Sequence, residues 1–376
     1  MFFPLKSRKT LSYEYPPLPI HSMIKPKFNK TTPFHQVLKG RIQNYFNEKN
    51  LEQTGNFSLF SKAILLTLAF IGVYLHLLLF TPHWAIALVE CIVLGALAAS
   101  IGFNVMHDGA HGSFSKKQWV NDLAGMSINF LGANVFMWKT KHNVVHHTFT
   151  NIEGVDDDMN ARPFLRLCPA QKRYKMHRFQ HYYFLLTYSL LYHYWVFVTD
   201  YKKYVTGKVG ITPIQKMKVK DHISFWSFKL IHAILFIAIP IYMLGFMPWL
   251  VGFLIFGFAT GIFLSVVFQM AHSVEETIFP LPEINGIKLE DDWATHQLKT
   301  TANFATNNKV LTWLVGGLNF QVEHHLFPKV SHIHYPAISK IIKEACNEYK
   351  VPYLEHAKLS QAFSSHFHHL KTLGRA

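Results

Sequence analysis

Charge is scarce in this chain. Asp, Glu, Lys and Arg make up 16% of its 376 residues, against about 25% in ordinary soluble domains, which argues against a simple solvated globule. Cysteine is scarcer still. Cys91, Cys168 and Cys346 are scattered without ligand spacing, which excludes both a disulfide framework and a zinc–thiolate cluster. Acidic residues are also few, 22 against 37 Lys and Arg, so the formal net charge is +15. No nucleic-acid-binding motif accompanies that charge, and nucleic acid is not expected as a partner. Basic segments on an otherwise apolar chain suit anionic lipid headgroups, acyl-CoA phosphates or an acidic protein. The first 58 residues are polar and basic and lack the apolar core of a signal peptide. Met23 offers an alternative start.

What is present in quantity is hydrophobic surface. Half of the residues are apolar and 33 are Phe. A bilayer-spanning helix takes about 20 apolar residues, and four stretches approach that: 63–80, 84–104, 230–246 and 249–268. The first two are joined by "TPHW" and the last two by an "MPWL" turn, giving two hairpins. Neither hairpin contains Lys or Arg between 63 and 104 or between 230 and 287. Apart from Lys62, which just precedes the first apolar stretch, the basic residues lie in the arm 1–58, in the segment between the hairpins and in the C-terminal third. The positive-inside rule then puts all three, and both termini, on the cytoplasmic side. Trp84 and Trp249 sit where interfacial anchors belong, and Pro240 is expected to kink the third span. Residues 119–138 and 182–199 are apolar but interrupted by polar side chains, and are expected to lie in the interface. The fold class is therefore all-α integral membrane, with a helical cap. A main body over 59–358 is expected, followed by a tail, 359–376, whose "HFHHL" reads as solvated.

Histidine is the other abundance, with 24 copies. Three clusters stand out. "HDGAH" carries His107 and His111 at the end of the second span. "HNVVHH" carries His142, His146 and His147. "QVEHH" carries Gln321, His324 and His325. Spacings of three and four put such pairs on one helix face, and His147 would be turned about 100° from His146. Asn319 is placed to cap the third cluster's helix. "QMAH" adds His272 at the end of the fourth span. In the two-hairpin topology, all of these emerge on one membrane face. Eight imidazoles exceed what one ion takes and suggest two metals. An all-nitrogen set without Cys suits iron and oxygen chemistry better than structural zinc or copper(I). Breaking an unactivated C–H bond is beyond any side chain and would require such a cofactor. Single histidines away from the clusters (His76, His83, His232) read as structural, and His332 and His334 as supporting residues.

H-x₃-H, H-x₃-H-H and Q-x₂-H-H around two apolar hairpins resemble the three histidine boxes of the membrane fatty-acid desaturases. The wording "HDGAHGSFS", "WKTKHNVVHHTFTNIEGVDDD", "DDWATHQLKTTANF" and "GGLNFQVEHHLFP" is similar along most of the chain, and the third box opening on Gln is that of the bacterial linoleoyl-CoA or front-end type. The resemblance implies four transmembrane helices under a cytoplasmic cap in a bacterial inner membrane. It implies two iron ions held by His107, His111, His142, His146, His147, His272, His324 and His325, with Gln321 either coordinating or supporting them. It implies an O₂-dependent reaction that places a cis double bond in an acyl chain, with Δ5 or Δ6 insertion favoured over Δ9. Aromatic side chains near the boxes, Trp138, Phe149 and Trp313, are candidates for the wall of an acyl tunnel. Many front-end relatives carry a fused cytochrome b5 domain with a His-Pro-Gly-Gly motif. This sequence lacks the motif, so a separate ferredoxin or cytochrome b5 is expected to deliver electrons. A membrane hydroxylase of alkanes, sterols or carotenoids would use similar boxes. A His-rich metal transporter is the non-catalytic alternative, though the spans hold few of the polar groups a transporter places there.

Overall fold

The computed structural model describes residues 26–280 and 289–376. Met23 lies outside them. Among the described residues four helices are long and apolar enough to cross a membrane: Phe57–Phe80, Trp84–His111, Val219–Leu244 and Phe246–His272. All four are longer than hydropathy alone delimits, because polar first and last turns continue the same helix beyond the apolar stretch. The first begins at Asn56, whose side chain accepts from the amides of Ser58 and Leu59. The second runs on to His111. The break between the third and fourth is Gly245 alone, at φ +83°, a left-handed position that glycine fills without strain. "MPWL" is therefore not a turn. It lies in the first turns of the fourth span, where Pro248 forfeits only an amide that has no helical partner.

Large apolar side chains on the first span, including Ile64, Leu68, Leu79 and Phe80, are exposed. On a helix of this length they form the face that lipid would cover. The spans meet through small residues. A Cβ on Gly95 would stand 2.7 Å from Ala259 Cβ and 2.7 Å from the carbonyl oxygen of Phe256. The second and fourth spans thus cross at backbone contact, as tightly packed membrane helices do. Pro240 follows a π-helical turn, Ile234–Ala238, whose wider loop accommodates the missing amide. Residues 119–138 fold as two helices, Gln118–Phe130 and Val135–Lys139, neither long enough to cross. Residues 182–199 belong to a run of short helical pieces. Lys229 of the third span ties both segments down, donating to the carbonyls of Gly132 (2.6 Å) and Val196 (2.8 Å) and to Asp200 (3.3 Å).

Beyond the spans the described chain folds as short helices and strands, of which the run 180–194 packs along the fourth span, with Tyr192 against Phe253 and Phe256. Phe34, Leu38, Ile42 and Phe46 repeat every four residues along the helix Pro33–Glu48. That stripe buries against Ile338, Ile342 and Ala345 of Tyr335–Tyr349. Strand Ala302–Phe304 pairs in parallel with Leu354–His356. The C-terminal segment is no solvated tail. It is a helix, Leu359–Arg375, with Ala362, His366, His369, Leu370 and Leu373 buried along one side. His366 donates to the carbonyl of Ser273 (2.6 Å) and accepts from Tyr188 (2.8 Å), and His369 bonds the carbonyl of Leu167 (3.0 Å). The buried Arg166 guanidinium donates to the carbonyls of Pro169, Gln171, Leu373 and Ala376. Histidines that look solvated by composition are here the inner face of an amphipathic helix.

Candidate metal centre

The second span carries His107 and His111 out of the apolar bundle. Just before them Gly102–Met106 forms a π turn, a local widening frequent at functional sites. Gly109 sits between the two histidines, and a Cβ there would stand 2.6 Å from the amide nitrogen of Gly125. This close approach seats the first box on the helix Gln118–Phe130. The second box lies in another π turn, Thr140–His146, which continues into His147–Phe149. One extra residue per turn alters the expected facing. His142 and His147, five apart, now converge, with their Nε2 atoms 3.2 Å apart. The third box is the short helix Gln321–Leu326. Asn319 does not cap it; its amide donates to Ala305 and Thr312 instead. His272 ends the fourth span.

These elements bring all eight histidines together. His107, His111, His142 and His324 have nitrogen atoms within 4.8 Å of one another, as do His146, His272 and His325. His147 forms a third such group with His324 and His325, so it stands between a four-imidazole pole and a three-imidazole pole. The adjacent His324 and His325 go to opposite poles instead of sharing one. Gln321 is buried beside them and makes no side-chain hydrogen bond among the described residues. Of the proposed tunnel residues, Trp138 stacks on His142 at 4.4 Å. Phe149 packs in a separate apolar cluster with Ile152, Val155 and Leu289. Trp313 is 41% exposed and lies away from the histidines, over Lys62.

A ring of acceptors surrounds the histidines, and it includes residues that helical spacing does not identify. His146 donates from Nδ1 to Asp156 (2.9 Å), His325 to Gln297 Oε1 (2.8 Å), His272 to the carbonyl of Thr300 (3.2 Å) and His324 to Tyr335 (3.2 Å). Asp108, inside the first box, accepts from Ser331 (2.7 Å) and from His332 Nδ1 (3.0 Å). Its chain position beside His107 and the run "VDDD" after the second box are the sequence signals for this ring. His296 bonds the carbonyl of Thr150 (2.9 Å) and is structural.

Do these residues fit a metal? Buried polar atoms in folded proteins almost always find partners. Yet Nε2 of His111, His146, His272, His324 and His325, and Nδ1 of His147, have none among the described residues. His181 and His193 also lack partners, but neither belongs to a metal-competent group among the described residues. Each unpaired buried nitrogen costs about 1–3 kcal/mol, a cost that coordination of a cation would reverse. An Nδ1–H bond to a carboxylate or carbonyl fixes the tautomer and turns the Nε2 lone pair inward. The electrostatics agree. Burial pushes His142 down to about 4 and holds His147, His324 and His325 well below the ordinary histidine range, so all four stand neutral. Burial opposes charge on His146 as well, but Asp156 and Asp158 outweigh it and raise its pKa. Lys141, 2.5 Å from Asp158, keeps that carboxylate ionised against its burial. The donor set is all nitrogen with the Asp156 and Asp158 carboxylates nearby, and the three cysteines are buried elsewhere. That is chemistry suited to iron.

Comparison with known proteins follows the same line. The family model described as fatty acid desaturase matches residues 81–357. The chain is 34% identical over 352 residues to the sn-1 linoleoyl-lipid 6-desaturase of Synechocystis, covering 93% of this chain and 98% of that protein. It is 33% identical over 361 residues to the acyl-lipid (8-3)-desaturase of Mortierella alpina, covering 93% and 79%. It is 32% identical over 347 residues to the acyl-lipid (8-3)-desaturase of Physcomitrium patens, covering 91% and 72%.

Proposed function

This chain belongs to the fatty acid desaturase family, and on that premise we propose that it is a front-end desaturase. It uses O₂ to place a cis double bond between an existing unsaturation and the carboxyl end of a fatty acyl lipid. Relatives named for desaturation at the 6, the 8-3 and the Δ5 position support this over hydroxylation and over Δ9 insertion. Two iron ions are held by His107, His111, His142 and His324 at one pole and by His146, His272 and His325 at the other, with His147 between them. When bound, iron supplies the oxygen chemistry that breaking an unactivated C–H bond requires. The cap faces the cytoplasm, in keeping with the absence of Lys and Arg from residues 63–104 and 230–287, the stretches that hold the two connections away from the cap. A separate ferredoxin or cytochrome b5 supplies electrons, steered by the basic surface.

The observation that carries this reading is the convergence of unpartnered imidazole nitrogens where the second and fourth spans enter the cap. The protein's own residues contribute position and exclusion. Asp156, Gln297, Tyr335 and the Thr300 carbonyl hold proton-bearing Nδ1 atoms outward, so the opposite nitrogens point inward without rearrangement. Trp138 covers His142 and meets His107 and His111 edge-on, which keeps bulk water from that pole. Burial does the rest: His146, His272 and His325 are fully enclosed.

The test is fatty-acid methyl-ester profiling by gas chromatography–mass spectrometry, with double-bond localisation. A desaturase-deficient host expressing this protein is compared with one expressing His146→Ala. New alkenes only with the intact protein are expected, and alcohols in their place would overturn the proposal.

A further inference from the structure

A cleft of about 620 Å³ opens beside the first span, where Phe57–Phe80 leaves the cap. Its charged lining is entirely cationic: Lys62, Lys309, Lys340 and Lys343. Lys343 is neutralised by Glu355 at 2.6 Å. Lys309 and Lys340 are exposed and form no ion pair among the described residues. Lys62 is the unusual one. It is only 8% exposed, and no carboxylate pairs with it. Its ammonium donates to the carbonyl of Trp313 (3.3 Å) and to His332 Nε2 (3.0 Å). An ammonium has three donors, so one remains for the cleft. A buried cation whose only nearby carboxylate among the described residues, Asp108, is reached through His332 is incompletely compensated, and two further unpaired lysines at the same opening add repulsion. The arrangement is made favourable by an anion.

Depth says what kind. Lys62 lies five residues into the span, about 7.5 Å along it at 1.5 Å per residue, the level of a lipid's headgroup and glycerol. The site is also connected to the metal centre. His332 accepts from Lys62 and donates from Nδ1 to Asp108, which adjoins His107.

We propose that this cleft binds the phosphate group of the acyl-bearing substrate, a phosphoglyceride headgroup or the phosphates of an acyl-CoA. The charge separates such donors from phosphate-free sugar lipids. The identity of the ligand as substrate rests on the desaturase reading above; the binding site itself does not.

The test uses full-length protein in an uncharged maltoside detergent and three probes: dioctanoyl phosphatidylglycerol, octanoyl-CoA and dioctanoyl monogalactosylglycerol. Lys309→Gln/Lys340→Gln is expected to weaken binding of a phosphate probe about tenfold, the contribution of two charge-assisted contacts at a half-open site. The galactolipid should be unaffected, and Lys309→Arg/Lys340→Arg should restore binding. Loss for phosphatidylglycerol assigns a lipid headgroup, and loss for octanoyl-CoA alone assigns the coenzyme. Unchanged binding of both phosphate probes, or an equal loss for the galactolipid, overturns the proposal. In turnover the same variant should raise KM for the phosphate donor and leave kcat and iron content within about twofold. A wild-type protein that makes no alkene from any donor would sink the desaturase reading, while the binding comparison still decides the site.

Discussion

Asp156→Asn is the sharpest perturbation of the metal centre that leaves every histidine in place. The Asp156 carboxylate accepts three bonds: from His146 Nδ1 at 2.9 Å, from the Asn151 amide at 3.0 Å and from the Asp158 amide at 3.0 Å. Asn has the same size but only one acceptor oxygen. Whichever way the amide turns, its NH₂ faces at least one N–H donor. The least costly orientation keeps the carbonyl on His146 and turns the NH₂ toward the Asp158 amide. Even so, the bond to His146 loses its charge. A hydrogen bond to a charged group contributes about 1.5–3 kcal/mol, and about 1.4 kcal/mol is a factor of ten. Asp156→Asn should therefore hold iron about 10- to 100-fold less tightly, the range seen for residues that support metal ligands. The assay is iron per chain by inductively coupled plasma mass spectrometry after graded dialysis against a chelator. Asp157→Asn is the control, since that side chain makes no hydrogen bond among the described residues. In a His146→Ala background the substitution should cost almost nothing more, because its effect runs through that imidazole. A folded Asp156→Asn protein that retains iron like the wild type would refute the role assigned to the acceptor ring.

Three further outcomes are expected. Gly95→Leu drives a side chain into Ala259 and the Phe256 carbonyl. It should cost about 1–3 kcal/mol or more, read as a lower thermal midpoint by circular dichroism in detergent, whereas Gly40→Ala, with open space around it, should not. Burial holds His366 down to about 3 and His296 and His369 down to about 4. Each binds a proton below about 6.5 in the unfolded chain but not in the fold, so stability should fall as pH drops from about 6.5 towards 4. Thermal midpoints across that window check this, and His366→Gln should flatten the slope. Arg166→Ala leaves the carbonyls of Pro169, Gln171, Leu373 and Ala376 unpaired. Limited trypsin digestion should then release the C-terminal helix well before it cuts elsewhere in the cap.

The spans and the histidine clusters were legible because both are local periodicities. Apolar stretches of about 20 residues without Lys or Arg read directly as a crossing, and i, i+3 and i, i+4 spacing reads directly as one helix face. The facing within the second box was not legible, because a π turn is decided by packing and turns His147 towards His142. The division of His324 and His325 between two poles escaped for a similar reason: it depends on what surrounds a six-residue helix. The acceptor ring depends on long-range contacts, such as His325 with Gln297 or Asp108 with His332, that no spacing predicts. The C-terminal helix is different, for its signal was present. Ala362, His366, His369 and Leu373 recur at helical intervals, and weighing composition above period hid them.

The docking of that helix sets an order of events during synthesis. Its His366 grips the carbonyl of Ser273, the residue after His272, and Ser365 bonds the Glu275 amide at 2.9 Å. The segment that presents the fourth span's histidine is thus latched by a helix that lies 93 residues further along the chain. Two hairpins can insert, carrying six of the eight histidines, while the third box and the latch are still untranslated. Chains fold from the N-terminus as they emerge, so the nitrogen cage stays open until the third box and the latching helix have been made. Loading of the proposed metal is then a step that follows insertion, and a chain cut short before Leu359 should be membrane-inserted but metal-poor.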